Sequence, residues 1–380
     1  MADRFARRMA LYYAALFMVI GVQLPFFPVW LRARGLDSEF IGVVLAVPLV
    51  ARIVAVPVAS RLSDRWKAPK GMLIGLSVAA AIGYSALGLA NGIVPIIVCL
   101  ALASIAYAPT TSIADAYALH GLALRKRAYG PIRLWGSAAF IAANLITGFA
   151  LNFLKADHLI WLAVAAQVFA IAAAFALVPQ HPDDTEQEAR SARGAGHFYS
   201  PPFVMMALAA SLIQASHTLY YSFSTLDWGA HGLGGTAIGT LWSIGVVAEI
   251  GVFAVSGRFV SVVSPSVLVA IGALGAVVRW GAMALSPPVA LLPLLQCLHG
   301  LSFAATHLGS VQYVAQAVPA ERRATAMGDF STMISLAMAF GMLLSGGLYA
   351  RYGGQAYAGM AVLAAIGAAL VLLASRLRSS

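Results

Sequence analysis

The stretch RGLDSEFIG at residues 34–42 returns as HGLGGTAIG at residues 231–239, so the offset between the two copies is 197 residues, from 34 to 231. The same offset, continued without a gap, pairs IVAVPVASRL at 53–62 with IGVFAVSGRF at 250–259 and sets Arg52 against Glu249. A repeat that covers both a loop and the apolar segment after it indicates two related halves. We therefore predict that both halves fold in the same way.

The composition indicates that both halves lie in lipid. Of the 380 residues, 61% are hydrophobic and 10% are charged, whereas about a quarter of the residues in an ordinary soluble domain are charged. Apolar runs of about 20 residues recur, and each is long enough to cross roughly 30 Å of hydrocarbon. A backbone that faces lipid must make its hydrogen bonds internally, so we predict an all-α membrane protein.

Twelve transmembrane helices account for the apolar runs. We place them at 9–31, 39–60, 71–90, 93–117, 130–152, 158–178, 203–228, 236–257, 264–285, 289–316, 325–349 and 356–375. The polar stretch that contains HPDDTEQEARSARGAG is typical of a flexible, solvated linker. The predicted domains are therefore an N-terminal six-helix bundle at 1–180, a cytoplasmic linker at 181–202 and a C-terminal six-helix bundle at 203–380.

The basic residues indicate the orientation of the chain. The net charge is +10, and basic clusters often mark nucleic-acid binding. Here, however, Lys and Arg fall mainly in alternate short loops, as they do in the cytoplasmic loops of membrane proteins. Loops on the other side contain only Arg32, Arg34, Lys155 and Arg351. We therefore expect cytoplasmic N- and C-termini and no nucleic-acid partner.

Ionisable residues are rare within the spans, so each is a candidate for function. A charge at the bilayer centre costs about 2.5–3.5 kcal/mol on insertion scales, and such residues usually face a cavity or a partner. The candidates are Arg52, Asp115, Arg133, Glu249 and Arg279, with His217, His299 and His307. Each histidine is either a packed core side chain or a functional one.

The surroundings of these charges suggest their roles. Asp115 and Arg133 form either a structural ion pair or part of a cavity near the cytoplasmic ends of neighbouring spans. Apolar surroundings favour the protonated form of a carboxyl group, which makes Glu249 the first candidate for carrying a proton. Arg279 either pairs with Glu249 or anchors an anion through two parallel hydrogen bonds.

Aromatic and polar side chains complete the predicted site. Five aromatic residues near these charges can stack on a ring-bearing solute or on an arginine: Trp135, Tyr220, Tyr221, Trp242 and Trp280. Packing and interfacial anchoring also explain aromatic residues in spans. Within QASHTLYYSFSTLDW at 214–228, Gln214, His217, Tyr221 and Ser224 follow helical spacing. They share one face of a helix and predict one wall of a cavity.

Several stretches resemble known transporters. LPFFPVWL at 24–31 resembles the first helix of the lactose permease group of the major facilitator superfamily. Five further stretches are similar to the phenylpropionate permease branch: LVAR at 49–52, IRLWGS at 132–137, LWSIGVVAEI at 241–250, VVRWG at 277–281 and LHGLSFAATHL at 298–308. The resemblance covers nearly the whole chain and implies two pseudo-symmetric six-helix bundles, alternating access and coupling to a proton.

The resemblance also implies roles for individual residues. Arg133 falls where the lactose permease has a sugar-binding arginine, and Asp115 resembles that arginine's acidic partner. Glu249, Arg279 and His307 fall in helices eight, nine and ten. The family's carboxylate one turn beyond the helix-ten histidine is Ser310 here, which moves proton coupling to Glu249 or, second, to Asp115.

The loop between the second and third spans resembles a degraded form of the superfamily's signature. SDR at 63–65 fits that loop. Asp64 and Arg65 are therefore expected to act as a gating loop that latches the cytoplasmic side closed. The alternative is that their charges only determine topology.

The combined expectation is a proton-coupled symporter, in a bacterial inner membrane, that imports a small organic solute by alternating access. Three deep arginines face two deep carboxylates, which leaves positive charge that an anion could neutralise. The resemblance to the phenylpropionate permease branch implies that this anion is an aromatic carboxylate, such as a phenylpropionate-like acid. A neutral sugar or nucleoside is the alternative. We assign proton coupling to Glu249, Asp115 and His307, and substrate binding to Arg133, Arg279, Arg52, His217, Tyr221 and Trp135.

Other function classes find little support in the sequence. Cys99 and Cys297 both lie inside apolar runs, so we predict no disulfide framework and no metal site. No GxSxG, HExxH or GxxxxGK[ST] motif occurs, so we expect neither an enzyme nor a cofactor. The expected partners are the solute, protons and the lipid bilayer, and we expect a functional monomer. A receptor or assembly factor remains an alternative, because a fold does not prove a function.

Overall fold

The computed structural model describes residues 2–179, 200–259, 262–319 and 322–379, and over these residues the regular secondary structure is helical. The chain divides into two compact units. The first comprises Met1–Glu188 and Trp228–Thr240, and the second comprises Ala189–Asp227 and Leu241–Ser380. Most of the predicted linker, up to residue 199, lies outside the described residues. The bundle boundaries at 180 and 203 stay predictions.

Over the described residues 2–179, six long helices lie before the predicted linker. They are α1 (Ala2–Ala33), α2 (Ser38–Trp66), α3 (Pro69–Leu89), α4 (Ile93–Ala123), α5 (Tyr129–Ala150) and α6 (Leu159–Ala176). Helix α1 packs mainly on α5 and α6, whereas α4 packs on α2 and α3. The central position of α1 brings its side chains next to α4 and α5, which contain the candidate residues Asp115 and Arg133.

The described part of the chain from residue 200 to residue 379 contains eight α-helices. They are α7 (Pro201–Ala215), α8 (Thr218–Ala230), α9 (Gly235–Phe259), α10 (Pro265–Ala284), α11 (Leu292–Cys297), α12 (Thr306–Ala317), α13 (Arg323–Tyr352) and α14 (Tyr357–Ser379). A π-helical segment, Gly300–Ala305, lies between α11 and α12. Helix α10 packs on α12 and α14, and α14 also packs on α7.

Within the described residues, eleven stretches are long and apolar enough to cross a membrane. One of them, Thr325–Leu377, is 53 residues long and covers most of both α13 and α14. A single crossing needs only about 20 residues, so this stretch accounts for two crossings. The result agrees with the twelve predicted spans and with an integral membrane protein of the all-α class.

The helix bounds reproduce the repeat found in the sequence. Helices α2 and α9 begin at Ser38 and Gly235, and helices α1 and α8 end at Ala33 and Ala230. Both pairs are separated by the same 197 residues, from 38 to 235 and from 33 to 230. The offset read from one loop therefore also relates the helices on both sides of that loop.

The repeated loop has the same backbone structure in both copies. Gly35 and Gly232 have φ angles of 83° and 85°, a region that glycine adopts without steric cost. In each copy the following amide bonds to the carbonyl five residues back, which is the Schellman ending of a helix. These bonds are Leu36 N to Leu31 O at 3.2 Å and Leu233 N to Trp228 O at 3.0 Å.

The seventh span was predicted as one helix, but it is interrupted between α7 and α8. At the break, Ser216 Oγ donates to Ile213 O at 2.6 Å, and Thr218 Oγ1 donates to Ala215 O at 2.7 Å. Hydroxyl groups that bond to nearby carbonyls compete with the backbone ladder of a helix. The break therefore follows from the polar SHT sequence within this apolar span.

The tenth span is also interrupted, by the π-helical segment. A Cβ atom on Gly300 would lie 2.8 Å from Ala248 O, so glycine allows this span to approach α9 closely. Single π-helical turns within α-helices often occur at functional sites. Here the segment directly follows His299.

Candidate functional site

A fully buried arginine organises one group of polar side chains, which we call the Arg279 cluster: Arg279, Gln296, His299, Glu249, Tyr220 and Trp280. Arg279 Nη2 donates to Gln296 Oε1 at 2.6 Å, and Nη1 bonds to His299 Nδ1 at 2.8 Å. Its Cζ lies 4.5 Å and 4.4 Å from the ring centroids of Tyr220 and Trp280. The buried cation is thus held by neutral acceptors and aromatic faces.

His299 connects this arginine to a carboxylate. A guanidinium group can only donate, so Nδ1 of His299 accepts and the ring proton of the neutral imidazole lies on Nε2. His299 Nε2 is 3.8 Å from Glu249 Oε2, and the Glu249 side chain is 23% exposed. Of the two roles predicted for Arg279, the geometry therefore favours partnership with Glu249, through His299.

The predicted polar wall of the seventh span is largely packed. Gln214, His217 and Ser224 are buried. His217 Nε2 lies 3.0 Å from Ser302 Oγ, while its Nδ1 faces Ile213 O at 3.1 Å. The expectation that these side chains form an open cavity wall is corrected, because all three are buried within the second unit.

Tyr221 differs from its neighbours in the seventh span. It is half-buried, stacks on His217 and Trp242 at centroid distances of 5.9 Å and 6.1 Å, and interacts electrostatically with Glu249. Its aromatic ring therefore lies beside the Arg279 cluster. Its role in substrate binding stays a prediction.

A second group, which we call the Asp115 cluster, comprises Asp115, Tyr13, Tyr129, Arg133 and Phe17. Asp115 Oδ1 accepts hydrogen bonds from Tyr13 OH at 2.6 Å and from Tyr129 OH at 2.8 Å. Arg133 Nε lies 4.0 Å from the same oxygen, which is too long for a hydrogen bond. The tyrosines, rather than the arginine, hold this carboxylate.

Arg133 is positioned by an aromatic ring. Its Cζ lies 3.9 Å from the centroid of Phe17, and its side chain is 28% exposed. A Cβ atom on Gly136 would lie 2.9 Å from Phe17 Cδ2 and 3.0 Å from Arg133 Nη1. Gly136 therefore leaves room for the stack of Arg133 on Phe17.

Arg52 is a second arginine near Asp115. It is exposed and interacts electrostatically with Asp115, which sets two arginines near one carboxylate.

The structure places His307 apart from both clusters. His307 is exposed, and its ring contacts those of Phe253 and Phe303 at 6.1 Å and 6.4 Å. The histidine that meets Glu249 is His299. If the family's carboxylate position is counted one turn beyond His299, Ser302 occupies it, rather than Ser310. The role assigned to His307 stays untested.

Trp135 and the gating loop also lie outside the two clusters. Trp135 is 59% exposed, and at about 100° per residue it points some 200° around α5 from Arg133. Arg65 is exposed in the last turn of α2. The side chain of Asp64 lies outside the described residues. Their predicted roles in substrate binding and gating stay predictions.

Four side chains of the clusters were missed in the sequence: Tyr13, Phe17, Tyr129 and Gln296. Helical spacing was the available signal for two pairs, because Tyr129 precedes Arg133 by four residues and Tyr13 precedes Phe17 by four. No such signal links α1 to α4, since that contact depends on tertiary packing.

Comparison with known proteins identifies the family. The family model described as the MFS_1 like family matches residues 6–358. The chain belongs to the MFS_1-like family. The "Probable 3-phenylpropionic acid transporter" of Escherichia coli (strain K12) is 30% identical to this MFS_1-like protein over 318 residues, which cover 81% of the chain and 82% of the relative.

Further relatives support the same class. The "Maltose permease" of Geobacillus stearothermophilus is 26% identical, with 97% of this chain and 95% of the relative covered. A crystal structure of the nucleoside transporter NupG matches with a TM-score of 0.84 at 17% identity and covers 97% of this chain and 98% of that chain. This MFS_1-like protein is a membrane transporter of the major facilitator type.

Proposed function

We propose that this transporter imports an aromatic carboxylate together with a proton. The observation that carries the proposal is the charge balance of the two clusters. Near Asp115, two arginines (Arg52 and Arg133) face one carboxylate, whereas Arg279 is matched by Glu249. A monovalent anion would neutralise the excess charge in the first unit, and buried or half-buried charge is costly unless it is compensated.

The chemistry of Arg133 suits a carboxylate. A guanidinium group binds a carboxylate through two parallel hydrogen bonds, and its face can stack on an aromatic ring at the same time. Arg133 already stacks on Phe17 and keeps part of its side chain exposed. The relative whose printed name specifies 3-phenylpropionic acid supports a solute with one carboxylate and one ring.

Glu249 is the proposed proton carrier. In its charged form it attracts His299 and, beyond it, the buried guanidinium of Arg279. Protonation removes that attraction, so proton binding changes the free energy of the whole cluster. If the solute binds one protonation state more tightly, the two fluxes become linked. Alternating access by rocking of the two halves would then release both on the other side.

Cellular placement follows the positive-inside pattern. We propose an inner-membrane protein with cytoplasmic termini that works as a monomer.

The loop between the second and third spans is the proposed gate, in which Asp64 and Arg65 latch the cytoplasmic side closed. Asp64→Asn should slow transport while solute binding stays intact. Unchanged turnover of that variant would leave the loop with a topological role only.

A neutral sugar is the second candidate, and the similarity to a maltose permease favours it. The two candidates differ in their dependence on arginine charge. Arg133→Lys keeps the charge but loses the planar fork, so it should weaken binding of a carboxylate. If Arg133→Lys and Arg279→Lys both leave carboxylate binding unchanged, the neutral solute becomes the better proposal.

The experiment that tests the proposal is transport by the purified protein in vesicles. Internal pH is measured while 3-phenylpropionate, maltose or a nucleoside is added outside. We expect proton uptake with the carboxylate only. Proton uptake with maltose alone would favour the sugar, and solute uptake without proton movement would remove the symport mechanism.

A further inference from the structure

The geometry of the Asp115 cluster is unusual for a carboxylate beside an arginine. Such pairs commonly close to about 2.7–2.9 Å with two parallel hydrogen bonds. Here the shortest ion-pair distance is 4.0 Å, from Arg133 Nε to Asp115 Oδ1. The same oxygen accepts the two tyrosine hydroxyls at 2.6 Å and 2.8 Å. Something other than the arginine therefore determines where this carboxylate lies.

The two tyrosines come from different helices and are themselves fixed. Tyr13, on α1, is completely buried, and Tyr129 begins α5. Their rings meet edge to face at 6.1 Å, and their hydroxyls are 3.5 Å apart. Two donors that converge on one oxygen form strong charge-assisted bonds and hold it in place.

We propose that Tyr13 and Tyr129 are specificity-determining positioning residues that keep Asp115 from neutralising Arg133. Phe17 holds the guanidinium by its face, and the tyrosines hold the competing carboxylate by its oxygen. The terminal nitrogens of Arg133 are thereby reserved for a carboxylate of the solute. Neither tyrosine needs to touch the solute, because each acts through Asp115.

This inference rests on the proposed transport of an aromatic carboxylate and adds the device that selects it. Without the tyrosine hydroxyls, Asp115 would close onto Arg133 and compete with the solute. A neutral analogue of the solute has no carboxylate that competes with Asp115 for Arg133, so its binding would not change. The tyrosines therefore discriminate by charge, whereas a merely structural pair would affect both ligands alike.

The test compares binding of 3-phenylpropionate with binding of its alcohol, 3-phenylpropanol, to the full-length protein in lipid nanodiscs. Tyr13→Phe and Tyr129→Phe, singly and together, each remove a hydroxyl and keep the ring. We expect the double variant to bind the acid about tenfold more weakly, the scale of losing a charge-assisted bond. Binding of the alcohol should stay unchanged.

A rescue experiment separates positioning from packing. Asp115→Asn, added to the double variant, removes the competing charge and should restore most of the acid binding. Tyr12→Phe is the matched control, because Tyr12 is the buried neighbour of Tyr13 but its hydroxyl faces Ser77 Oγ at 3.4 Å. If the double variant does not fold, the comparison of acid and alcohol binding is made with Tyr129→Phe alone, since Tyr129 is only half-buried.

The outcomes separate this inference from the proposed function. Equal loss of acid and alcohol binding, unchanged acid binding, or failure of Asp115→Asn to rescue would each overturn the positioning role while carboxylate transport stands. Absence of 3-phenylpropionate binding and transport in the unmodified protein would overturn the proposed function and, with it, this inference.

Discussion

The Arg279 cluster and the Asp115 cluster contain the same kinds of side chain in opposite arrangements. In the Arg279 cluster the cation is completely buried and fixed, while Glu249 is 23% exposed and lies beyond a histidine. In the Asp115 cluster the carboxylate is fixed by two hydroxyls, while the guanidinium of Arg133 stacks on one ring. The side chains of Arg133 and Asp115 are 28% and 35% exposed, so the hydroxyl bonds, not burial, distinguish the fixed member.

The difference shows which group in each cluster can exchange its partner. A completely buried charge that is held by hydrogen bonds and aromatic faces of the protein is costly to disturb, so Arg279 acts as a constant source of positive charge. The less constrained member can bind something new. That member is a carboxyl group in one cluster, suited to a proton, and a guanidinium in the other, suited to an anion.

The largest expected effect is that of removing the fixed cation. Arg279→Ala leaves Gln296 and His299 without their donor and creates a cavity between Tyr220 and Trp280. We expect a loss of about 3–5 kcal/mol in stability, the range for breaking a buried charged network. Thermal unfolding in nanodiscs measures it. Arg351→Ala, at an exposed position, is the control, and equal unfolding temperatures would contradict the fixed role of Arg279.

Glu249→Gln should separate accumulation from exchange. Glutamine resembles the protonated carboxyl group, so the variant keeps one protonation state permanently and cannot respond to a pH gradient. We expect loss of uphill accumulation and continued exchange of labelled solute across vesicle membranes. Glu39→Gln, at the exposed start of α2, should accumulate solute normally. Accumulation by Glu249→Gln at a normal rate would move the proton to Asp115.

Two histidines of the tenth span sharpen the comparison further. His299→Ala removes the link between Arg279 and Glu249, and we expect proton-driven uptake to fall about tenfold, the scale of one charge-assisted hydrogen bond. His307 is exposed and lies outside the Arg279 cluster, so His307→Ala should change proton-driven uptake by no more than about twofold, as for most exposed positions. A larger loss of proton-driven uptake in His307→Ala than in His299→Ala would restore His307 as the functional histidine.

The sequence was informative where local rules apply. Composition and span length predicted the all-α membrane class, and the 197-residue offset correctly paired the two Schellman loops at Gly35 and Gly232. The sequence also singled out Glu249 and Arg279, because isolated charges in apolar spans are conspicuous.

What the sequence could not show depends on three-dimensional packing. That His299, rather than His307, lies next to Glu249 depends on the π-helical segment and on the close approach allowed at Gly300. The convergence of Tyr13 on Asp115 joins residues 102 positions apart. Hydrophobic periodicity contains no information about such a contact.

The smallest expected effect concerns the stack that presents Arg133. A Cβ atom at position 136 would meet Phe17 Cδ2 at 2.9 Å and Arg133 Nη1 at 3.0 Å, so Gly136→Ala must displace one of them. Overpacking of this kind costs about 1 kcal/mol or more, and if the guanidinium shifts, binding of 3-phenylpropionate should weaken about fivefold. Gly130→Ala is the matched control on the same helix, since nothing lies within 4 Å of its Cβ position. Equal affinities of the two variants, measured by calorimetry, would show that the geometry of the stack does not matter for the solute and would favour Arg52 as the anchor.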